Sequence, residues 1–210
     1  MLTVHHLGVS QSERVIWLCE EIGLPYRMVR HERREDNKLA PEALKTIHPM
    51  GLAPVIEDDG RILGESAAIC QYIDARYNDG ALTPQPDDPD YVDFLYWFHF
   101  ANGTLMPNMY MEAVVVMADL EEPPFFFVDR KRRSWSMLEK RLGEAPFFAG
   151  ERLTLADIMI VFVMTTGRMF INFDLDTCPN ARAYLRRIGE RPAYRAAMAK
   201  AEPGFRPMLD

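Results

Sequence analysis

Phenylalanine is missing from the first ninety residues, which hold none of the chain's twelve Phe and only three of its thirteen Met. Cysteine is scarce as well. Cys19, Cys70 and Cys178 are odd in number and lack metal-type spacing, so neither a disulfide framework nor a metal site is expected. No stretch approaches the roughly 18 consecutive apolar residues that span a bilayer, and no membrane partner is expected. The opening MLTVHHLGVSQSER lacks a basic segment followed by an apolar one, so the expected location is the cytoplasm. Basic charge is in deficit, with 24 Lys and Arg against 31 Asp and Glu. Such a chain is not expected to bind nucleic acid, and the basic cluster DRKRR (residues 129–133) reads as a solvated helix face. No repeat or low-complexity tract is present.

What remains is globular: 48% hydrophobic, 26% charged and 11% aromatic content excludes disorder. The 210 residues suit one domain or two small ones, and the Phe asymmetry favours two. The boundary falls in NDGALTPQPDDPD (residues 78–90), which carries three prolines, a glycine and little apolar content. This predicts a domain over 1–78, a linker over 79–89 and a second domain over 90–210.

Before the boundary, β and helical signals alternate. Strands are predicted at 3–7, 26–29 and 54–57. Helices are predicted from the apolar stripe Val15, Ile16, Leu18, Cys19 and Ile22, over 41–47, and over 66–77. Asp58-Asp59-Gly60 joins the third strand to a fourth at 61–63 as a hairpin. After the boundary there is almost no strand signal. Tyr91, Phe94, Leu95, Phe98, Ala101 and Leu105 mark a long helix with a bend expected near Gly103 or Pro107. Thr154 and Asp157 have the spacing of a capping box that opens a helix hydrophobic nearly all round, suited to the middle of a core. The fold class is therefore a small α/β domain with a mixed sheet, followed by an all-α domain.

The chemistry concentrates around Pro54 and Glu65-Ser66. Pro54 sits where a strand should begin. With a cis bond there, the Ala53 backbone would be free to pair with an extended ligand. Glu65 and Ser66 lie between a strand and a helix, where free N–H groups and a hydroxyl suit a carboxylate and the Glu65 side chain suits an ammonium. The competing reading makes Ser66 an N-cap and Glu65 a complement to the helix dipole.

Four segments in order, SQSERVIWLCEEIGLPY (10–26), HPMGLAPVI (48–56), GESAAI (64–69) and LTLADI (153–158), resemble the cytosolic glutathione S-transferases, with serine-type bacterial and fungal members the nearest pattern. The resemblance covers nearly the whole chain. It implies a thioredoxin-like N-terminal domain with a mixed four-stranded sheet and an all-helical C-terminal domain. It also implies glutathione as co-substrate, a small hydrophobic electrophile, a detoxifying activity and a homodimer, with no metal. Pro54 matches the family's cis-proline, and Ala53 the residue that pairs with the cysteinyl backbone. Glu65 and Ser66 match the pair that holds the γ-glutamyl end. Ser10 is the first candidate to hydrogen-bond the sulfur and Ser12 its rival, although Ser10 and Glu13 also have capping-box spacing.

Arg14 reads as salt-bridging or as a dimer-interface residue, and His5 and His6 as strand residues rather than bases. Where the family often has Lys or Arg two residues before the cis-proline, this chain has Leu52, leaving Lys38, Lys45 or His48 to meet the glycyl carboxylate. The co-substrate wall is expected between the domains, from Phe98, Asn102, Met106, Met109 and Tyr110. Glutathione-dependent isomerase, dehalogenase or peroxidase chemistry, or a non-enzymatic binding role, are the alternatives on the same fold.

Overall fold

The computed structural model describes residues 1–171 and 173–210. The chain divides into two compact units, Met1–Ala81 with Arg191–Arg206, and Leu82–Glu190 with Pro207–Asp210. The sequence pattern places all of 90–210 in the helical domain. Residues 191–206 instead return to the first unit.

The first unit runs β1 (Thr3–Leu7), α1 (Ser12–Glu21), β2 (Arg27–His31), α2 (Ala43–Ile47), β3 (Val55–Asp58), β4 (Arg61–Leu63) and α3 (Ser66–Tyr77), and is completed by α9 (Pro192–Ala201). The sheet order is β2-β1-β3-β4. β2 runs parallel to β1, while β3 and β4 add in antiparallel fashion, so the sheet is mixed and four-stranded as expected. Every residue of β1 is buried, as befits a strand covered on both faces. Its polar members need internal partners, and His5 finds Glu57 at 2.7 Å and His31 at 2.9 Å. β2 lies at the sheet edge, which is why it lacks a burial alternation and begins one residue later than predicted. The β3–β4 turn holds Asp59 and Gly60 at φ +47 and +76, the paired left-handed geometry of a two-residue hairpin. α9 packs on α1 through the Trp17 and Tyr194 rings, 5.1 Å apart, and through Arg191–Glu21 and Lys200–Glu20 ion pairs.

The second unit holds α4 (Tyr91–Phe100), α5 (Met106–Met117), α6 (Phe125–Glu144), α7 (Leu155–Met164) and α8 (Pro179–Glu190). A π-helical turn, Ala101–Leu105, joins α4 to α5. Pro107 has no N–H to continue an α-helical ladder, so the regular bonding breaks at the expected place. All ten residues of α7 are buried, which puts the all-apolar helix at the centre of this unit's core. Its start is closed by the predicted capping box of Thr154 and Asp157. Asp157 also accepts from the Phe148 N–H at 3.0 Å and the Tyr184 hydroxyl at 2.9 Å, and Phe148 stacks edge-on against Tyr184. Among the described residues no helix is long and apolar enough to cross a membrane.

Candidate functional site

A cleft of about 340 Å³ opens in the first unit, where the loop before β3, the β4–α3 junction and the approach to α1 converge. Ala53, Pro54, Glu65, Ser66, Gln11 and His48 are among the residues that line it. The Ala53–Pro54 bond is cis. Pro54 lies just before β3, so its missing N–H leaves no gap in the ladder.

Glu65 precedes α3 with φ +66 and ψ 108, outside the regions that side chains other than glycine favour. Ser66 is the first helical residue and is buried, so it is not the N-cap of the competing reading. Its hydroxyl accepts from Arg14 Nη1 at 2.9 Å and donates to Gln11 Oε1 at 3.3 Å, and Arg14 Nη1 donates to the same Gln11 oxygen at 2.5 Å. No side-chain cap covers the first N–H groups of α3. A buried guanidinium beside a helix N-terminus favours an anion there. Arg14 itself is 1% exposed in the single chain, so it cannot be an interface residue. Its role inside the site, and that of Gln11, escaped the sequence. Arginine on a first helical turn looks the same whether it points in or out.

The two serines occupy different environments. Ser12 is fully buried. Its Oγ accepts the Leu7 N–H at 3.2 Å and lies 2.8 Å from His6 Nδ1 and 2.7 Å from Ser10 Oγ. Ser10 is half-buried at the end of the loop. The predicted Ser10–Glu13 capping box does not form: α1 begins at Ser12 without a side-chain cap, and the Glu13 N–H donates to the Ser10 carbonyl at 3.1 Å. Ser10 Oγ instead accepts the Ser12 N–H at 3.3 Å. Ser10 does not line the 340 Å³ cleft, although its neighbour Gln11 does.

Of the three residues proposed to replace a cation at Leu52, only His48 lines the cleft, where its ring lies against Gly64. Lys45 is paired with Glu42 at 2.7 Å, with its stem over Gly51, and Lys38 is exposed on a loop. Leu52 contributes an apolar edge to the cleft and is 55% exposed. Burial pushes the thiols up, Cys70 to about 12 and Cys19 and Cys178 also upward, so none of the three is a ready thiolate.

In the second unit, Phe98, Met106 and Met109 are buried and pack as core. Tyr110 is 55% exposed, and Asn102 is half-buried. Among the described residues no cluster of His, Cys, Asp or Glu is arranged to hold a metal ion.

Residues 10–76 match the glutathione S-transferase N-terminal domain family, and residues 128–192 match its C-terminal domain family. A glutathione S-transferase from Pseudomonas putida is 30% identical across all of this chain and 98% of its own length. Glutathione S-transferase 3 from Schizosaccharomyces pombe is 28% identical over 96% of this chain and 88% of the relative. A crystal structure of a glutathione S-transferase from Actinobacillus pleuropneumoniae superposes with a TM-score of 0.83 at 32% identity, covering 96% of this chain and 93% of that one.

Proposed function

The chain belongs to the glutathione S-transferase family and is a glutathione transferase, and we propose that the cleft of its first unit holds glutathione while Ser10 hydrogen-bonds the sulfur. One observation carries the reading. Cis Ala53–Pro54 and the Glu65-Ser66 pair face one cleft of about 340 Å³, with the Arg14 guanidinium behind Ser66.

The γ-glutamyl carboxylate lies at the start of α3, on the Ser66 hydroxyl and uncapped N–H groups, and the Arg14 charge strengthens that field. Glu65 takes the adjoining ammonium. Ala53 pairs with the cysteinyl backbone through its N–H and carbonyl. His48 meets the glycyl carboxylate, because of the candidates it alone lines the cleft.

A free thiol titrates near about 8.5, so a hydroxyl donating to sulfur raises the thiolate fraction at neutral pH. The thiolate then attacks a small apolar electrophile, a detoxifying conjugation. In the helical unit Tyr110 presents the accessible face for that partner, with Met106 and Met109 packed as core on the same helix. The active form is a homodimer, supported by exposed Val92, Leu95 and Tyr96 along α4. The three free thiols fit a reducing compartment such as the cytoplasm.

The test is Ser10→Ala. A hydrogen bond to a charged group is worth about 1.5–3 kcal/mol, so kcat should fall on the order of 10- to 150-fold while the Kd for glutathione stays within about twofold. Unchanged turnover would remove Ser10 from the mechanism.

A further inference from the structure

Behind Ser10 lies a continuous hydrogen-bonded line that the proposed chemistry has not used. Ser10 Oγ is 2.7 Å from Ser12 Oγ, which is 2.8 Å from His6 Nδ1. On the far side of the ring, His6 Nε2 lies 2.9 Å from the Ala201 carbonyl and 3.4 Å from Glu202 Oε1. Ser12 and His6 are fully buried, so solvent does not compete within the line.

The geometry fixes most of the protons. A carbonyl only accepts, so His6 Nε2 carries a hydrogen whether the ring is neutral or charged. In the neutral ring Nδ1 is therefore bare, and its neighbour Ser12 donates to it. Ser12 Oγ already accepts the Leu7 N–H at 3.2 Å and has room for one more donor, the Ser10 hydroxyl. In this resting order the hydroxyl protons point inward, from Ser10 to Ser12 to His6, and Ser10 presents a lone pair outward.

We propose that Ser10, Ser12 and His6 form a proton relay that takes the thiol proton of glutathione inward to His6, with Glu202 balancing the charge that arrives. The proposal rests on Ser10 facing the sulfur. The S–H bond breaks and its proton bonds to Ser10 Oγ. The Ser10 proton passes to Ser12 Oγ, and the Ser12 proton passes to His6 Nδ1. The product is a thiolate and an imidazolium, with no change in total charge. Every hydroxyl is then reversed: His6 donates to Ser12, Ser12 to Ser10, and Ser10 to the sulfur. Thiolate formation and the orientation that stabilises it are thus the same event. When the thioether product leaves, the imidazolium returns its proton along the same line to water.

The surroundings suit a ring that gains charge. Glu202 is buried. Burial raises its carboxyl, but the His6 and Val9 N–H bonds and the His6 and Arg30 charges outweigh this and hold it below the ordinary carboxylate value. The opposing charges are Arg30 on β2, whose guanidinium reaches the Ala201 carbonyl and lies 3.8 Å from Glu202, and Arg33, bonded to the Gly8 and Val9 carbonyls. His5 and His31 face the same end of the sheet, and burial followed by the neighbouring His5 and His6 charges lowers His31. Ser12 and His6 act through Ser10 and are positioning residues. The Leu7 N–H donates to Ser12 Oγ at 3.2 Å in both orders and holds that oxygen in place, while the Leu7 carbonyl, also 3.2 Å away, is an alternative acceptor that competes for the one Ser12 proton.

The test measures protons as well as rates. Glutathione is bound near neutral pH in buffers of different ionisation enthalpy, with thiolate formation followed by ultraviolet absorbance. The relay predicts that the wild-type protein releases well under half a proton per thiolate formed. In Ser12→Ala the thiol must ionise to solvent, so release should rise to about one proton per thiolate. The bound thiol should also shift toward its free value near about 8.5. Its kcat/KM should fall on the order of tenfold at neutral pH and recover as pH rises, with KM for glutathione little changed. His6→Asn should behave alike, and Ser12→Ala, which removes one atom, carries the test if His6→Asn does not fold. One proton released by the wild type, or a pH-independent loss in Ser12→Ala, would overturn the relay. If Ser10→Ala raises the thiol pKa and Ser12→Ala does not, the relay falls and Ser10 stands; if neither does, both fall.

Discussion

Glu65 stands in a backbone conformation that works against the fold, and its carboxylate is the one proposed to meet the glutathione ammonium, so replacing it should separate stability from binding. Its φ of +66 with ψ of 108 lies outside the left-handed well, where ψ is about 30–60°, so its neighbours hold it in place at a cost of about 1–3 kcal/mol. Glycine removes most of that cost but loses about 0.5–1 kcal/mol of its own conformational freedom on folding. The net expectation for Glu65→Gly is a gain of roughly 0.5–2 kcal/mol without ligand, a Tm rise of about 1–8 °C for a chain of this size. Alanine keeps the strain and loses only the carboxylate, so Glu65→Ala should unfold within about 0.5 kcal/mol of wild type.

Binding should respond in the opposite way. A carboxylate on an ammonium approaches about 1.5–3 kcal/mol, and because Glu65 is exposed, solvent screening lowers this to about 1–2. Both variants should therefore bind glutathione about 5- to 30-fold more weakly by isothermal titration calorimetry. Loss of stability in ligand-free Glu65→Gly would refute the strain argument. Unchanged affinity in Glu65→Ala would refute the ammonium contact.

Asp157 should give a graded series in urea unfolding. Each carboxylate oxygen accepts one backbone N–H and one hydroxyl, Oδ2 from Thr154 and Oδ1 from Phe148 and Tyr184. Tyr184→Phe should cost about 1 kcal/mol and Asp157→Asn, which strands one N–H, about 1–3, while Asp157→Ala strands both and should cost more than 3. Burial pushes the Asp157 carboxyl up against those donors, which places the uncharged Asn at the low end of its range, and equal costs for Asn and Ala would break the argument. Glu202 predicts a pH dependence. Its folded pKa is depressed, so its contribution is present above the unfolded value of 4.5 and is lost as pH falls through the lower folded value. The stability difference between wild type and Glu202→Gln should accordingly shrink as pH falls below 4.5, and a constant difference would contradict the assignment.

The parts legible in the sequence were those governed by local rules. β1, β4 and α3 fell on their predicted residues, and backbone at positive φ lies beside their ends, Val9 after β1, Gly60 before β4, and Glu65 and Asp79 about α3. α7 was legible because a helix apolar on every side has only one place to go. β2 was misplaced because an edge strand half open to water carries basic residues in no alternating pattern. In the site, Pro54, Glu65 and Ser66 were legible as types at element boundaries. The side-chain contacts of Arg14 and Gln11 were not, and for Ser12, a candidate from the sequence, the bond to His6 was not, since these depend on which way polar side chains turn once α1 and α3 are in place. The return of α9 to the first unit had no local signal: an alanine-rich amphipathic helix does not state which neighbour it covers.

That return makes the first unit depend on a helix made only after most of the second unit. Its strand β1 leaves the ribosome well before α9, yet the carbonyl that fixes the His6 ring belongs to Ala201. At about 5–20 residues per second, roughly 10–40 s of synthesis separate the two. During that interval the bulk of the second unit, Leu82 to Glu190, is made, while the first unit still lacks α9. Chains halted before residue 191 would therefore present the α1 face that Tyr194 covers and a His6 ring without its Ala201 partner.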